Sequence, residues 1–159
     1  MIKILICALS VASAFKVQEP KPALQKTLAL RGGLSPETTA LIGSIYNGGF
    51  GVTLLANPEM FYGPDGIMPY FKTAMGPVAQ TFIGRAFGAC LTALASANFI
   101  EGIPKEAVCK LYAYGALLVL IPMLLTLQDS ENFVAMMWRL QVPVHSGLIY
   151  ILSKGAGLI

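Results

Sequence analysis

At 159 residues, 55 % hydrophobic and 12 % charged, the chain carries about half the ~25 % of charged residues usual in soluble domains, which points to lipid rather than water as its solvent. The net charge of +3 does not make it a nucleic-acid binder, because residues 1–33 hold five basic groups and one acid. That leaves six basic and seven acidic groups, a net of −1, in residues 34–159, with no basic stripe to lie on phosphates, so nucleic acid is excluded as a partner.

Met1-Ile-Lys3 sets a positive charge ahead of an apolar run, Ile4 to Ala12, that is too short to span a bilayer. Ser13-Ala14-Phe15 then places small residues before a cut after Ala14, completing the pattern of a secretory signal peptide. Residues 15–33 carry Lys16, Lys21, Lys26 and Arg31 against one acid, Glu19. Ala12-Ser-Ala-Phe15 followed by a basic, acid-poor stretch resembles the bipartite plastid presequence of algae with secondary red plastids. The resemblance implies a signal peptide over 1–14, a transit peptide over 15–33, and a mature domain over 34–159 in a plastid membrane, the thylakoid above all. An ordinary signal peptide leading to an endomembrane is the alternative.

The mature part reads as four apolar segments. The first has Ser35 as an N-cap, Pro36 at the first helical position and Glu37 at the positive end of the dipole, and it stops at Asn57-Pro58. Pro36 to Ala56 is 21 residues, or about 31 Å at ~1.5 Å each, the thickness of a hydrocarbon core. The second runs from about Val78 to Ile100 and contains Arg85. A third starts at Pro104-Lys105-Glu106, contains Pro122 and reaches about Gln128. The fourth is expected to start on the cap Asp129-Ser130-Glu131 and to reach about Ser153, through Arg139, Pro143 and His145. The expected fold class is all-α: an integral membrane four-helix bundle with short loops. The exception is the Asn57–Pro77 connection, whose Phe61, Tyr62, Met68, Tyr70 and Phe71 suit the headgroup zone or a partner's surface.

Gly84, Gly88, Thr92 and Ser96 recur every fourth residue in the second segment, and Gly43, Asn47 and Gly51 do so in the first. Such spacing lets helix backbones approach closely in lipid, so Gly43, Gly51, Gly84 and Gly88 are expected at helix contacts. A charged side chain in the bilayer costs at least ~2.5–3.5 kcal/mol, so Arg85 and Arg139 are expected to face inward, into a polar ligand-binding pocket with Asn47, Gln80 and Gln141; snorkelling to the interface is the competing expectation. His145, the one histidine, could ligate a chlorophyll magnesium, the only cofactor in view, or hydrogen-bond a carbonyl of the next helix. Cys90 and Cys109 have no metal-ligand spacing, and no metal site is expected.

No H-E-x-x-H, G-x-S-x-G, phosphate loop or pair of intramembrane carboxylates occurs, so no catalytic residue is assigned. The Glu-x-x-x-x-Arg pairing of light-harvesting antenna helices is missing too. A first helix ending at Ala56-Asn57-Pro58 and the glycines of Gly84-Arg-Ala-Phe-Gly88 make the mature part similar to DoxX-like small four-helix membrane proteins, a likeness that implies no activity. The expected role is a non-catalytic subunit or assembly factor of a photosynthetic membrane complex, with membrane lipids and other membrane subunits as partners. The competing class is a small transporter or a lipid- or quinone-binding protein working through the two arginines, with Pro122 and Pro143 as kinks.

Overall fold

A computed structural model describes residues 34–159, and the signal and transit peptides expected over 1–14 and 15–33 lie outside them. The described residues form helices and no strand. Helix α1 spans Pro36–Ala56 and starts as its capping chemistry dictates, with Ser35 Oγ accepting the Thr38 amide at 3.3 Å. Asn57 closes it and opens the next: its N–H reaches Thr53 O at 3.1 Å, and its Oδ1 accepts the Met60 amide at 3.2 Å to begin the one-turn helix α2, Pro58–Tyr62.

Helix α3 spans Ala79–Phe99, with a wide π turn over Ala79–Gly84 and a tight 3-10 turn over Ala97–Phe99. Helix α4 spans Lys105–Thr126 with Pro122 inside it, and α5 spans Ala135–Gly155 with Pro143 inside it. Gly157, at φ +66°, ends α5 and lets the Leu158 amide turn back to Ser153 O at 2.9 Å. Three of these helices, α1, α3 and α4, are long and apolar enough to cross a membrane.

The fourth segment departs from its expected start. Asp129 does cap, but what it caps is a turn: its carboxylate accepts the Glu131 and Asn132 amides at 3.2 and 3.1 Å and Asn132 Nδ2 at 2.9 Å. The chain then runs extended, because Phe71 and Phe133 pair as an antiparallel bridge, flanked by Lys72 N to Asn132 O at 2.9 Å and Val134 N to Tyr70 O at 3.0 Å. Pairing with a segment some sixty residues earlier overrides the local cap, and helix begins only at Ala135.

Small residues packed with a few large ones build the core. Ala40, Ala97, Val108, Cys109, Ala113, Ala116, Leu148 and Ala156 surround Tyr112 and Leu152, both fully buried. Helix α1 touches all three other long helices, whereas α3 lies mainly against α1. Thr39 against Gly155 and Cys109 Sγ 3.5 Å from Pro36 O gather the start of α1, the start of α4 and the end of α5 at one end of the molecule. The loop and the starts of α3 and α5 occupy the other, where Gly84 touches Pro58 and Trp138 touches Tyr70.

Candidate functional site

The Asn57–Pro77 connection folds back on its own chain. Tyr62 stacks on Phe50 at 6.0 Å between centroids, Tyr70 meets Tyr62 at 5.7 Å and Trp138 at 5.0 Å, and Trp138 continues to Phe71 and Phe133. Trp138 Nε1 donates to Tyr70 O at 3.0 Å, and Tyr62 Oη bonds Thr53 Oγ1. Lys72 Nζ donates to Ser130 O at 2.7 Å, and Glu59 accepts the Met75 amide at 2.9 Å. Burial pushes the Tyr62 and Tyr70 phenols above their ordinary range, so both hydroxyls keep their protons for these bonds. Tyr70 and Phe71 thus pack on Trp138 of α5 and Tyr62 on Phe50 of α1, while Phe61 lies against Tyr62.

Beneath this cap lies a chain of hydrogen bonds crossing three helices. Tyr70 Oη donates to Gln141 Oε1 at 2.9 Å, and Gln141 Nε2 donates to Tyr46 Oη at 2.5 Å. His145 Nε2 lies 2.8 Å from Ala116 O, and since a carbonyl only accepts, this nitrogen carries the proton. His145 Nδ1 is therefore the acceptor for Tyr46 Oη at 2.9 Å. Every donor from Tyr70 inward points the same way, to a carbonyl of α4. His145 is 3 % exposed, and neither ring nitrogen has a free lone pair. This geometry does not fit a chlorophyll magnesium on His145; it is that of a histidine bonded to the next helix's carbonyl.

A second polar knot lies toward the opposite end. Tyr112 Oη donates to Ala95 O at 3.0 Å, with Ser44 Oγ 2.9 Å from the phenol and 3.1 Å from the same carbonyl. Lys105 Nζ donates to Asn98 O at the tightened end of α3. Two buried atoms, Thr39 Oγ1 and Asn98 Oδ1, have no hydrogen-bond partner among the described residues.

The residues expected to share one polar pocket are not brought together. Arg85 and Arg139 are both exposed, and among the described residues neither makes an ion pair or hydrogen bond. Asn47 spends its amide on Gly43 O, one turn back at 2.8 Å. Gln80 is half-buried in the π turn of α3. Only Gln141 enters a buried network, and its partners there are tyrosines. The late start of α5 explains part of this: Arg139 is four residues past Ala135, about 6 Å at ~1.5 Å per residue, so its guanidinium can reach the interface.

Gly51 and Gly88 mark the closest approach of α1 and α3. A methyl group at Gly88 would sit 2.5 Å from Leu55 N and 2.7 Å from Gly51 O, and one at Gly51 2.7 Å from Thr92 N. Gly84 lies 3.0 Å, on the same measure, from Pro58 Cγ, and Gly43 accepts the Tyr112 ring. Tyr46, central to the hydrogen-bond chain, is not singled out by the sequence patterns, and Tyr70 stands out there only as an interfacial aromatic. A signal exists all the same: Gln141 and His145 are one turn apart on one face, and a tyrosine inside an apolar helix needs a partner for its hydroxyl. Comparison with known protein families, with curated proteins and with solved structures gives no match, so the likenesses read from the sequence rest on their short motifs alone.

Proposed function

We propose that this protein is a multi-pass membrane protein, built as a four-helix bundle, that serves as a non-catalytic subunit or assembly factor of a plastid membrane complex, in the thylakoid above all. Three helices apolar enough to cross a membrane support the membrane reading, and α5, which carries Arg139, Gln141, His145 and Lys154, completes the bundle against α4 and α1. The signal-like and basic segments of residues 1–33 support the plastid address.

The observation that carries the non-catalytic reading is the closed hydrogen-bond chain from Tyr70 to Ala116 O. Its members hold helices to one another, and each polar atom's bond is to another group of the chain. Outside it, large apolar side chains such as Ile45, Val52, Phe82 and Leu118 are exposed and suit lipid or neighbouring subunits. The transporter reading needs two inward arginines, and both are exposed. Native gel electrophoresis of mild detergent extracts tests the proposal: the protein is expected to migrate with a larger membrane complex. Recovery only as a free monomer would overturn it. Sequencing the mature N-terminus tests the address, with a start near Gly33 or Leu34 expected and a start at Phe15 against it.

A further inference from the structure

The two arginines occupy the same end of the molecule and the same kind of place. Gly84, the residue before Arg85, lies against Pro58 at the start of α2, and Trp138, the residue before Arg139, bonds the carbonyl of Tyr70 in the cap. Both arginines therefore stand within two turns of the loop end, Arg85 six residues past Ala79 and Arg139 four past Ala135. Around Arg85, Phe82 and Ile83 are 72 % and 60 % exposed; around Arg139, Met136 and Leu140 are 70 % and 58 % exposed. Phe82, Ile83 and Met136 lie on the loop side of the cations and Phe87 and Leu140 on the far side, so each cation sits within an outward apolar surface.

Of the four carboxylates at this end, Glu59, Asp65, Asp129 and Glu131, two are engaged elsewhere. Glu59 holds the Met75 amide and Asp129 holds its own turn, while Lys72 is spent on Ser130 O. At the opposite end, Lys105 is spent on Asn98 O and Lys154 lies 5.1 Å over the Tyr150 ring.

From this arrangement we infer that Arg85 and Arg139 are docking points for anionic lipid, each reaching to a headgroup phosphate with its guanidinium while the acyl chains lie against the apolar side chains around it. The planar fork of arginine matches a phosphate bidentately, and a phosphate is the acceptor a lipid-facing arginine near the headgroups meets. The inference rests on the membrane reading. With both arginines reaching the headgroups, Lys72, Arg85 and Arg139 mark one end and Lys105, Lys110 and Lys154 the other, and the positive-inside rule favours neither orientation.

The single tryptophan, beside Arg139, supplies the probe. The full-length protein is placed in phosphatidylcholine vesicles containing brominated phosphatidylglycerol or brominated phosphatidylcholine, and quenching of Trp138 gives the relative affinity of the two lipids. A preference for phosphatidylglycerol is expected, lowered about fivefold by Arg139→Gln, the factor that ~1 kcal/mol per basic residue at an anionic surface gives. Arg139→Lys should keep part of it and Lys110→Gln all of it. For Arg85, the count of phosphatidylglycerol molecules retained in native mass spectra should fall in Arg85→Gln. Equal quenching by both lipids, or a preference indifferent to Arg139→Gln, would overturn the inference while leaving the membrane reading intact. Failure of the protein to float with either vesicle would remove both. Near-ultraviolet circular dichroism of the Trp138 cluster shows whether each variant is folded.

Discussion

The seam between α1 and α3 and the seam joining α1, α4 and α5 are held by different chemistry. At the first, backbones meet at Gly51 and Gly88 with no room for a side chain, Thr92 Oγ1 bonds its own helix at Gly88 O, and a single side-chain bond, Ser44 Oγ to Ala95 O at 3.1 Å, crosses further along. At the second, large side chains fill the space, and His145 of α5 bonds Tyr46 of α1 and the Ala116 carbonyl of α4. In lipid, where burial of apolar surface gives little drive for helix association, these are the two remaining means: close packing and polar bonds. The first seam is specified by what is missing from two residues, the second by what is present on several.

The first seam should therefore be brittle. Gly88→Val sets two methyl groups against backbone atoms of α1 that cannot move aside, and a loss of about 3 kcal/mol is expected, the upper end of overpacking costs. Unfolding in mixed detergents measures it, and an unchanged midpoint would contradict the close approach. The second seam should fail more gradually. His145→Leu strands Ala116 O and the Tyr46 hydroxyl, at about 1–2 kcal/mol by the same assay. Pairing it with Tyr46→Phe should give a smaller total than the two singles added, since both break one bond. Tyr112→Phe keeps the ring and removes one hydroxyl, and about 1 kcal/mol is expected.

The smallest effect lies outside both seams. Hydrogen bonds from the Asn132 side chain and backbone hold the Asp129 carboxyl below the usual carboxylate range. A lowered value means that the turn is stabilised above the unfolded pKa and loses that contribution as pH falls through the folded one. Acidification below about pH 4, near the value of an unperturbed aspartate, should loosen the Asp129–Asn132 turn, seen as faster amide exchange at Asn132, and Asp129→Ala should abolish the pH dependence. The Asp129 carboxyl is fully exposed, so global stability should hardly change.

The parts legible in the sequence are those decided locally. Ser35-Pro36 and Asn57-Pro58 fix both ends of α1, because caps and prolines act on their own backbone. The start of α5 is not legible, since Asp129-Ser130-Glu131 reads as a helix cap and only Phe71, far off in the chain, draws Phe133 and its neighbours into extended backbone. The arginines escape a local reading for a related reason: their depth depends on where the helix begins and their direction on which neighbours the helix finds. Gly51 and Gly88 stand where four-residue spacing suggests a contact, but that spacing does not reveal which helix takes which glycine. Gly43 faces Tyr112 of α4 instead of α3.

The central claim is that the polar groups inside this protein are spent on holding its helices. One histidine in the whole sequence makes a direct test feasible, because a 15N spectrum of the labelled imidazole needs no assignment. A proton on Nε2 and an unprotonated, hydrogen-bonded Nδ1 are predicted, with the Nδ1 signal shifting in Tyr46→Phe and neither signal moving when chlorophyll is added. A proton on Nδ1, or a ring nitrogen that shifts on binding pigment, would contradict the account.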